Sequence, residues 1–506
     1  MPTDRLWGWA GPLLVTAFAA YLRFDRLSIP RSIVFDETYY VKDAFGILHY
    51  GVEHNLAGGN TDAMVAHGQT HIFSGGGEFV VHPPMGKVLI AAGEAVFGLT
   101  PFGWRFAVAV VGSLSVLLLA RIARRMTRST LLGCVAGLLL ALDGLEFVMS
   151  RTALLDIFLM FWLLAAFGCL VVDRDRARAR LARGGGGVQT SGDTAATNAA
   201  PRGLGPWLGV RWWRVLAGVC LGLACASKWD GIWYVIAFVG LCLAWDIGAR
   251  RAAGLSMPSY GALVRDGGWT LFCLVVVPAL VYVASWSGWF ASSIGWDRNY
   301  AEQHGVKTPV ISALYSLFQY HKEMLNFHIN LHVHHPYQSQ PWTWLVMSRP
   351  VAFFYASPSA GHGGCRVAHC SQAILAIGTP AIWWASIAAI TALAVWWLVH
   401  RDWRAGAILL GIAAGWLPWF AFPDRTKFFF YAVSFEPFLI LAVTLCLGLI
   451  MGSSSASPLR RGTGAAIVGG YLIIVVLNFF YLYPVLAAKV IPYASWKARM
   501  WFSSWI

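Results

Sequence analysis

The sequence predicts an all-α polytopic membrane protein. Three observations carry this: 58% of the 506 residues are hydrophobic, only 12% are charged, and long apolar runs recur from one end of the chain to the other. Soluble domains average about 25% charged residues, and a bilayer core about 30 Å thick takes about 20 apolar residues per helix.

Eleven runs have the character of spans: 7–22, 103–122, 131–149, 152–172, 212–227, 229–247, 269–288, 375–399, 405–422, 433–451 and 465–486. The apolar run 88–98 follows His-Pro-Pro, is too short to cross, and is expected to lie as a helix at the interface. Lys and Arg are densest in 122–130, 173–211, 248–268, 400–404 and 452–464. The positive-inside rule then places the N-terminus in the cytoplasm and the C-terminus outside. Segments 23–102 and 289–374 become extracytoplasmic loops. The cytoplasmic segment 173–211, with the Gly/Ala/Thr-rich centre 184–206, is expected to be a flexible linker. Three parts follow: 1–288, a loop at 289–374, and 375–506 with the last helices and an outer tail.

The net charge of +14 does not point to nucleic acid, because much of the basic excess sits in short loops beside spans. Seven of the nine cysteines fall in apolar runs and are expected to pack as small hydrophobes. Cys365 and Cys370 lie in a polar outer loop, where an oxidising face favours a local disulfide. His321, His328, His332, His334 and His335 crowd one segment, but no nearby thiol or carboxylate completes a metal set, so no metal is expected.

Function is suggested by where ionisable residues collect. Asp36 and Glu37 lie in the first outer segment, as do His82 and Lys87; Arg105 opens the second span. Arg151 with Asp156, Lys228 with Asp230, and Arg425 with Lys427 mark three short outer turns. A charge at membrane depth costs roughly 2.5–3.5 kcal/mol on insertion scales, so these cations need internal carboxylates or an anionic ligand. Neighbouring residues point in different directions, so Asp36 and Glu37 are not expected to share a proton: one faces the reaction, the other a structural cation. Asp36 is a candidate general base. An Asp capping a helix with Glu in its first turn gives the same pattern.

"FDETYYVKDA", "HPPMGK", "FGWR", "LDGLEFVMSRTALLDIFLMF", "ASKWDG", "NFHINLHVHHPYQSQPWTWLVMSRP" and "GTPAIWW" resemble, in order, the bacterial protein O-mannosyltransferases of glycosyltransferase family 39. The Arg/Gly/Ala-rich composition suggests an actinobacterial source. The resemblance implies the GT-C fold, with interfacial helices in the first outer loop. It implies transfer of mannose from a polyprenyl-phosphate mannose to Ser or Thr of secreted polypeptides at the outer face of the plasma membrane. On it, Asp36 and Glu37 are the catalytic pair, Asp36 as the base and Glu37 paired with a cation such as Arg105, and no cofactor is needed beyond the donor. Lys87, Arg105, Arg151, Asp156, Lys228, Asp230, Arg425, Lys427, His82 and His335 are the expected donor and substrate contacts. The expected partners are the donor, secreted polypeptides, membrane lipids and the secretion machinery. The alternatives are a GT-C transferase acting on lipid or cell-wall glycan, and a transporter or flippase of anionic lipid.

Overall fold

Apolar runs this long satisfy their backbone groups internally, and in lipid that requirement selects helices. The computed structural model describes residues 4–184, 203–306, 308–453 and 455–506. Its helices are α1 (Trp7–Phe24), α2 (Glu37–Tyr50), α3 (Met85–Phe97), α4 (Pro101–Thr127), α5 (Thr130–Ala141), α6 (Gly144–Met149), α7 (Asp156–Gly184), α8 (Trp212–Ser227) and α9 (Gly231–Ala252). They continue with α10 (Pro258–Ser285), α11 (Pro309–Ile329), α12 (Pro380–His400), α13 (Trp403–Trp416), α14 (Glu436–Met451) and α15 (Pro458–Leu486). Shorter helical turns connect some of these.

All eleven apolar runs are helical over most of their length. Among the described residues, seven helices have the length and apolarity of a crossing: α4, α7, α9, α10, α12, the helical stretch Trp403–Ala421, and α15. The α5, α8 and α14 helices are apolar but shorter. The expected span 131–149 is broken, because Asp143 stops it: its carboxylate accepts from Leu145 N (2.8 Å), Thr379 N (3.2 Å) and Trp383 Nε1 (2.8 Å). The interfacial candidate 88–98 is α3. At 13 residues it is about 20 Å long, and it packs against α2 and α4.

The cytoplasmic-linker expectation needs one correction. Residues 173–184 are not linker but the last turns of α7, and they are tied down: Asp173 receives Arg211 (2.6 Å) and Arg214 (3.0 Å), which also reach Asp246 on α9. Charge pairs supply inside the bundle what a loop would have left to water. Residues 185–202 of the expected linker lie outside the described residues. Close packing of α10 on α8 depends on Gly218, where a Cβ would sit 1.8 Å from the Cys273 carbonyl.

Beyond the helix ends on the face carrying Asp36 lie two small antiparallel sheets. One pairs β1 (His54–Leu56) with β2 (Phe73–Gly77); the other orders β3 (Val351–Ala356), β4 (Cys370–Ala376) and β5 (Ile491–Pro492). Cys365 and Cys370 are joined by a disulfide at the start of β4.

Candidate active site

Asp36 and Glu37 begin α2, and the structure sends them to different places. Glu37 is fully buried. Its Oε1 accepts from Arg105 Nε (2.7 Å) and Ala153 N (3.0 Å), and its Oε2 from Arg105 Nη2 (2.8 Å) and Val34 N (3.1 Å). Arg105 spends its remaining donors on the carbonyls of Leu27, Pro30 and Ser32. This two-pronged pair fixes the turn that precedes α2. Glu37 and Arg105 are therefore positioning residues, which corrects the assignment of Glu37 to catalysis and of Arg105 to the donor.

Asp36 occupies the capping position of α2, yet its carboxylate accepts no bond from the helix. It is half-buried and, among the described residues, has no ion-pair or hydrogen-bond partner. Burial and the nearby Asp156 carboxylate push its carboxyl up to about 7, and Lys228 works in the opposite direction. Phe35, immediately before Asp36, lies in the left-handed region at φ 48°. Its ring is stacked on Phe353 of β3 at 4.5 Å.

Three helix ends meet beside Asp36. Asp156 starts α7, Lys228 follows the last residue of α8, and Asp230 precedes α9, so each charge also suits the adjoining helix dipole. Lys228 Nζ lies 2.7 Å from Asp156, 3.9 Å from Asp230 and 4.1 Å from the Tyr431 ring centre. Tyr431 stacks on Trp419 at 4.9 Å, and the Arg425 guanidinium covers the Trp419 ring at 5.4 Å. Arg425 has no carboxylate partner among the described residues. Its side-chain hydrogen bonds among the described residues go to the His328 carbonyl (3.3 Å), the Thr426 carbonyl (3.3 Å) and His328 Nδ1 (3.3 Å).

Beside these groups lies a cavity of about 240 Å³ whose walls include His82, Lys228, Trp229, Asp230, His328, Trp419 and Arg425. Burial and the surrounding cations keep both histidines neutral: His82 is held well below the usual range, and His328 is lowered to about 4. His328 Nε2 donates to the Val81 carbonyl (2.8 Å), leaving Nδ1 to accept from Arg425. A second cavity of about 490 Å³ adjoins it, sharing Trp229 and Ile232; its other walls are chiefly apolar, among them Val235, Val275, Pro278 and Val283.

Several expected donor contacts lie elsewhere. Lys87 is fully buried, paired with Glu53 and near Asp43 (3.8 Å), and its ammonium donates to the His82 carbonyl (3.0 Å). Arg151 caps the end of α1, donating to the carbonyls of Leu22, Arg23, Asp25 and Arg26. The Lys427 ammonium is held by the carbonyls of Phe422 and Pro423. His335 packs on Phe428 at 5.0 Å, outside the cavity walls. All four are corrected from donor contacts to structural roles, because none lines the cavity and each is held by protein groups.

Sequence reasoning did not assign His328, Trp229 or Trp419 to the site. His321 and His328 are seven residues apart on α11, two helical turns, and both rings face Trp229 at 5.8 and 5.7 Å. That spacing was the available signal. Among the described residues no group of three His, Cys, Asp or Glu is placed to hold a metal ion.

The fold is that of a GT-C membrane glycosyltransferase. The S. cerevisiae protein O-mannosyltransferase Pmt1–Pmt2 complex bound to the sugar donor superposes with a TM-score of 0.73 at 15% identity, covering 99% of this chain and 93% of that one. ArnT from Cupriavidus metallidurans bound to undecaprenyl phosphate gives 0.51 at 15% identity, over 96% and 77%. Residues 13–183 match the family described as dolichyl-phosphate-mannose-protein mannosyltransferase, and 313–505 match the C-terminal four-transmembrane region of protein-O-mannosyltransferase. A Mycolicibacterium smegmatis protein named polyprenol-phosphate-mannose–protein mannosyltransferase is 42% identical over 516 residues, which cover 100% of this chain and 94% of that one. The chain belongs to the protein O-mannosyltransferase family.

Proposed function

We propose that this enzyme transfers mannose from a polyprenyl-phosphate mannose to Ser or Thr hydroxyls of secreted polypeptides at the outer face of the plasma membrane, with inversion at the anomeric carbon. One observation carries the reading: Asp36, a carboxylate without a partner among the described residues, lies beside a cavity that presents Lys228 and Arg425, the latter with no counter-ion among those residues. The names of the 42%-identical relative and the donor-bound structural relative support the donor and the acceptor class.

In this mechanism the acceptor hydroxyl oxygen bonds to the anomeric carbon as the bond from that carbon to the phosphate oxygen breaks. Asp36 takes the hydroxyl proton. The departing polyprenyl phosphate gains a negative charge, which Arg425 and Lys228 meet with fixed donors already in place. Neutral His82 and His328 line the pocket without competing for the acceptor's proton. Trp229 and Trp419 offer flat apolar walls for the sugar, and the adjoining apolar cavity takes the first isoprene units of the tail. The reading places the N-terminus in the cytoplasm and needs no metal or nucleotide, since the fixed cations carry the phosphate charge.

The test is direct. Purified protein, a synthetic Ser/Thr-rich peptide and radiolabelled polyprenyl-phosphate mannose are expected to give labelled peptide, with chelators leaving the yield unchanged. Label confined to lipid or glycan, or donor that crosses vesicles without a covalent product, overturns the proposal.

A further inference from the structure

We infer a second, non-catalytic site on the opposite membrane face that holds an anionic phospholipid. α4 runs from Arg105, next to Glu37, to Arg125; α7 runs from Asp156 to Arg174 and Arg178; α9 runs from beside Asp230 to Trp245. At 1.5 Å per residue each carries the chain about 20–30 Å away from the candidate active site. There the ends of α4, α7 and α9 and the turn between α12 and α13 enclose a polar cavity of about 880 Å³.

Arg125, Arg128, Arg174, Arg178, Arg401 and Arg404 all line it, against two carboxylates. Asp175 receives Arg125 (2.8 Å) and Arg174 (3.2 Å), and Asp402 receives Arg404 (2.6 Å). Arg128, Arg178 and Arg401 have no acceptor among the described residues and are exposed. Arg128 and Arg401 close α4 and α12 in the left-handed region, at φ 55° and 50°, a position where helices ordinarily place Gly or Asn.

Basic residues near helix ends are ordinary in a membrane protein, and alone would carry nothing further. The second observation is an apolar cavity of about 480 Å³ that continues from the basic one into the bundle. The two share Ala244, Trp245 and Trp403, and the apolar part runs on between α9 and α13 past Gly240 and Leu241 on one side and Leu410 and Ala413 on the other. From Trp403 to Ala413 is about 15 Å along the helix, much of the length of an acyl chain. Gly240 leaves that groove open: a Cβ built there meets no atom within 4 Å. The Arg174 guanidinium lies over the Trp403 ring at 3.6 Å, at the junction of the two compartments. A phosphate-bearing headgroup over an acyl groove is the ligand these paired cavities fit, and basic pockets between spans recognise such headgroups.

Native mass spectrometry of the delipidated full-length protein tests this with phosphatidylglycerol, phosphatidylcholine of the same acyl chains, and inorganic pyrophosphate. Phosphatidylglycerol is expected to bind well above phosphatidylcholine. Joint replacement Arg128→Gln, Arg178→Gln and Arg401→Gln is expected to weaken it roughly a hundredfold. Gly240→Leu, which fills the groove and touches no charge, is expected to weaken phosphatidylglycerol and leave pyrophosphate unchanged; should the triple variant not fold, this arm alone decides. Equal binding of the two lipids overturns the inference, as does a folded triple variant that binds like the parent. Pyrophosphate binding with Gly240→Leu silent toward the lipid also overturns it, by assigning the arginines to a soluble phosphate.

Discussion

Two adjacent carboxylates sit in opposite surroundings. Around Glu37 every oxygen lone pair is answered by Arg105 or a backbone N–H, and no water reaches it. Around Asp36, among the described residues, no hydrogen bond or ion pair reaches the carboxylate, and the nearby Asp156–Lys228 pair is already made. The contrast shows how a helix start can be bolted down at one residue so that its neighbour stays chemically free.

The contrast is broken most severely at Asp36. Asp36→Asn is expected to lower peptide mannosylation by roughly a hundred- to ten-thousandfold, with donor binding retained; a small loss would remove Asp36 from the chemistry. A carboxylate base must be ionised, and the Asp36 carboxyl is pushed up to about 7. Below that pH the protonated form dominates and the rate falls about tenfold per unit; above it the rate levels off. A profile flat from acid to neutral pH in the native enzyme would contradict the assignment.

Glu37→Gln tests the bolted side. It leaves Arg105 buried without its counter-charge, and about 3–5 kcal/mol of stability is expected to go, read as a lower unfolding midpoint in detergent. A specific loss of turnover at unchanged stability would instead make Glu37 a participant.

Arg425 and Lys427 sharpen the same distinction two residues apart. Arg425→Ala is expected to lower kcat/KM for the donor by about ten- to a hundredfold, the size of a hydrogen bond to a charged group, while acceptor KM stays near its original value. Lys427→Gln, whose native ammonium serves loop carbonyls, is expected to change donor KM by less than about twofold. Equal losses in the two variants would make both residues structural.

Fold class and the membrane character were legible because long apolar runs leave few alternatives in lipid, and the motifs named the family. The break at Asp143 was hidden: an Asp inside an apolar run reads as one tolerated charge until Thr379 and Trp383 arrive from more than two hundred residues away. The site was half legible. Asp36, Lys228 and Arg425 were picked out by type and leaflet, but the same criteria also selected Lys87, Arg151 and Lys427. Whether a cation is free depends on its partners, and Lys87 finds Glu53 and Asp43 only after the first outer loop has folded back on α2. Carbonyl partners, such as those of Arg151, leave no mark in a sequence at all.

The stacking of Phe35 on Phe353 bears on how such proteins diversify. The two stretches that match the family, 13–183 and 313–505, invite treatment as exchangeable modules, yet Phe35, just before Asp36, leans on a ring from the other stretch. Chimeras that join halves from distant relatives would inherit mismatched rings at that seam, so drift on either side is answerable to the other.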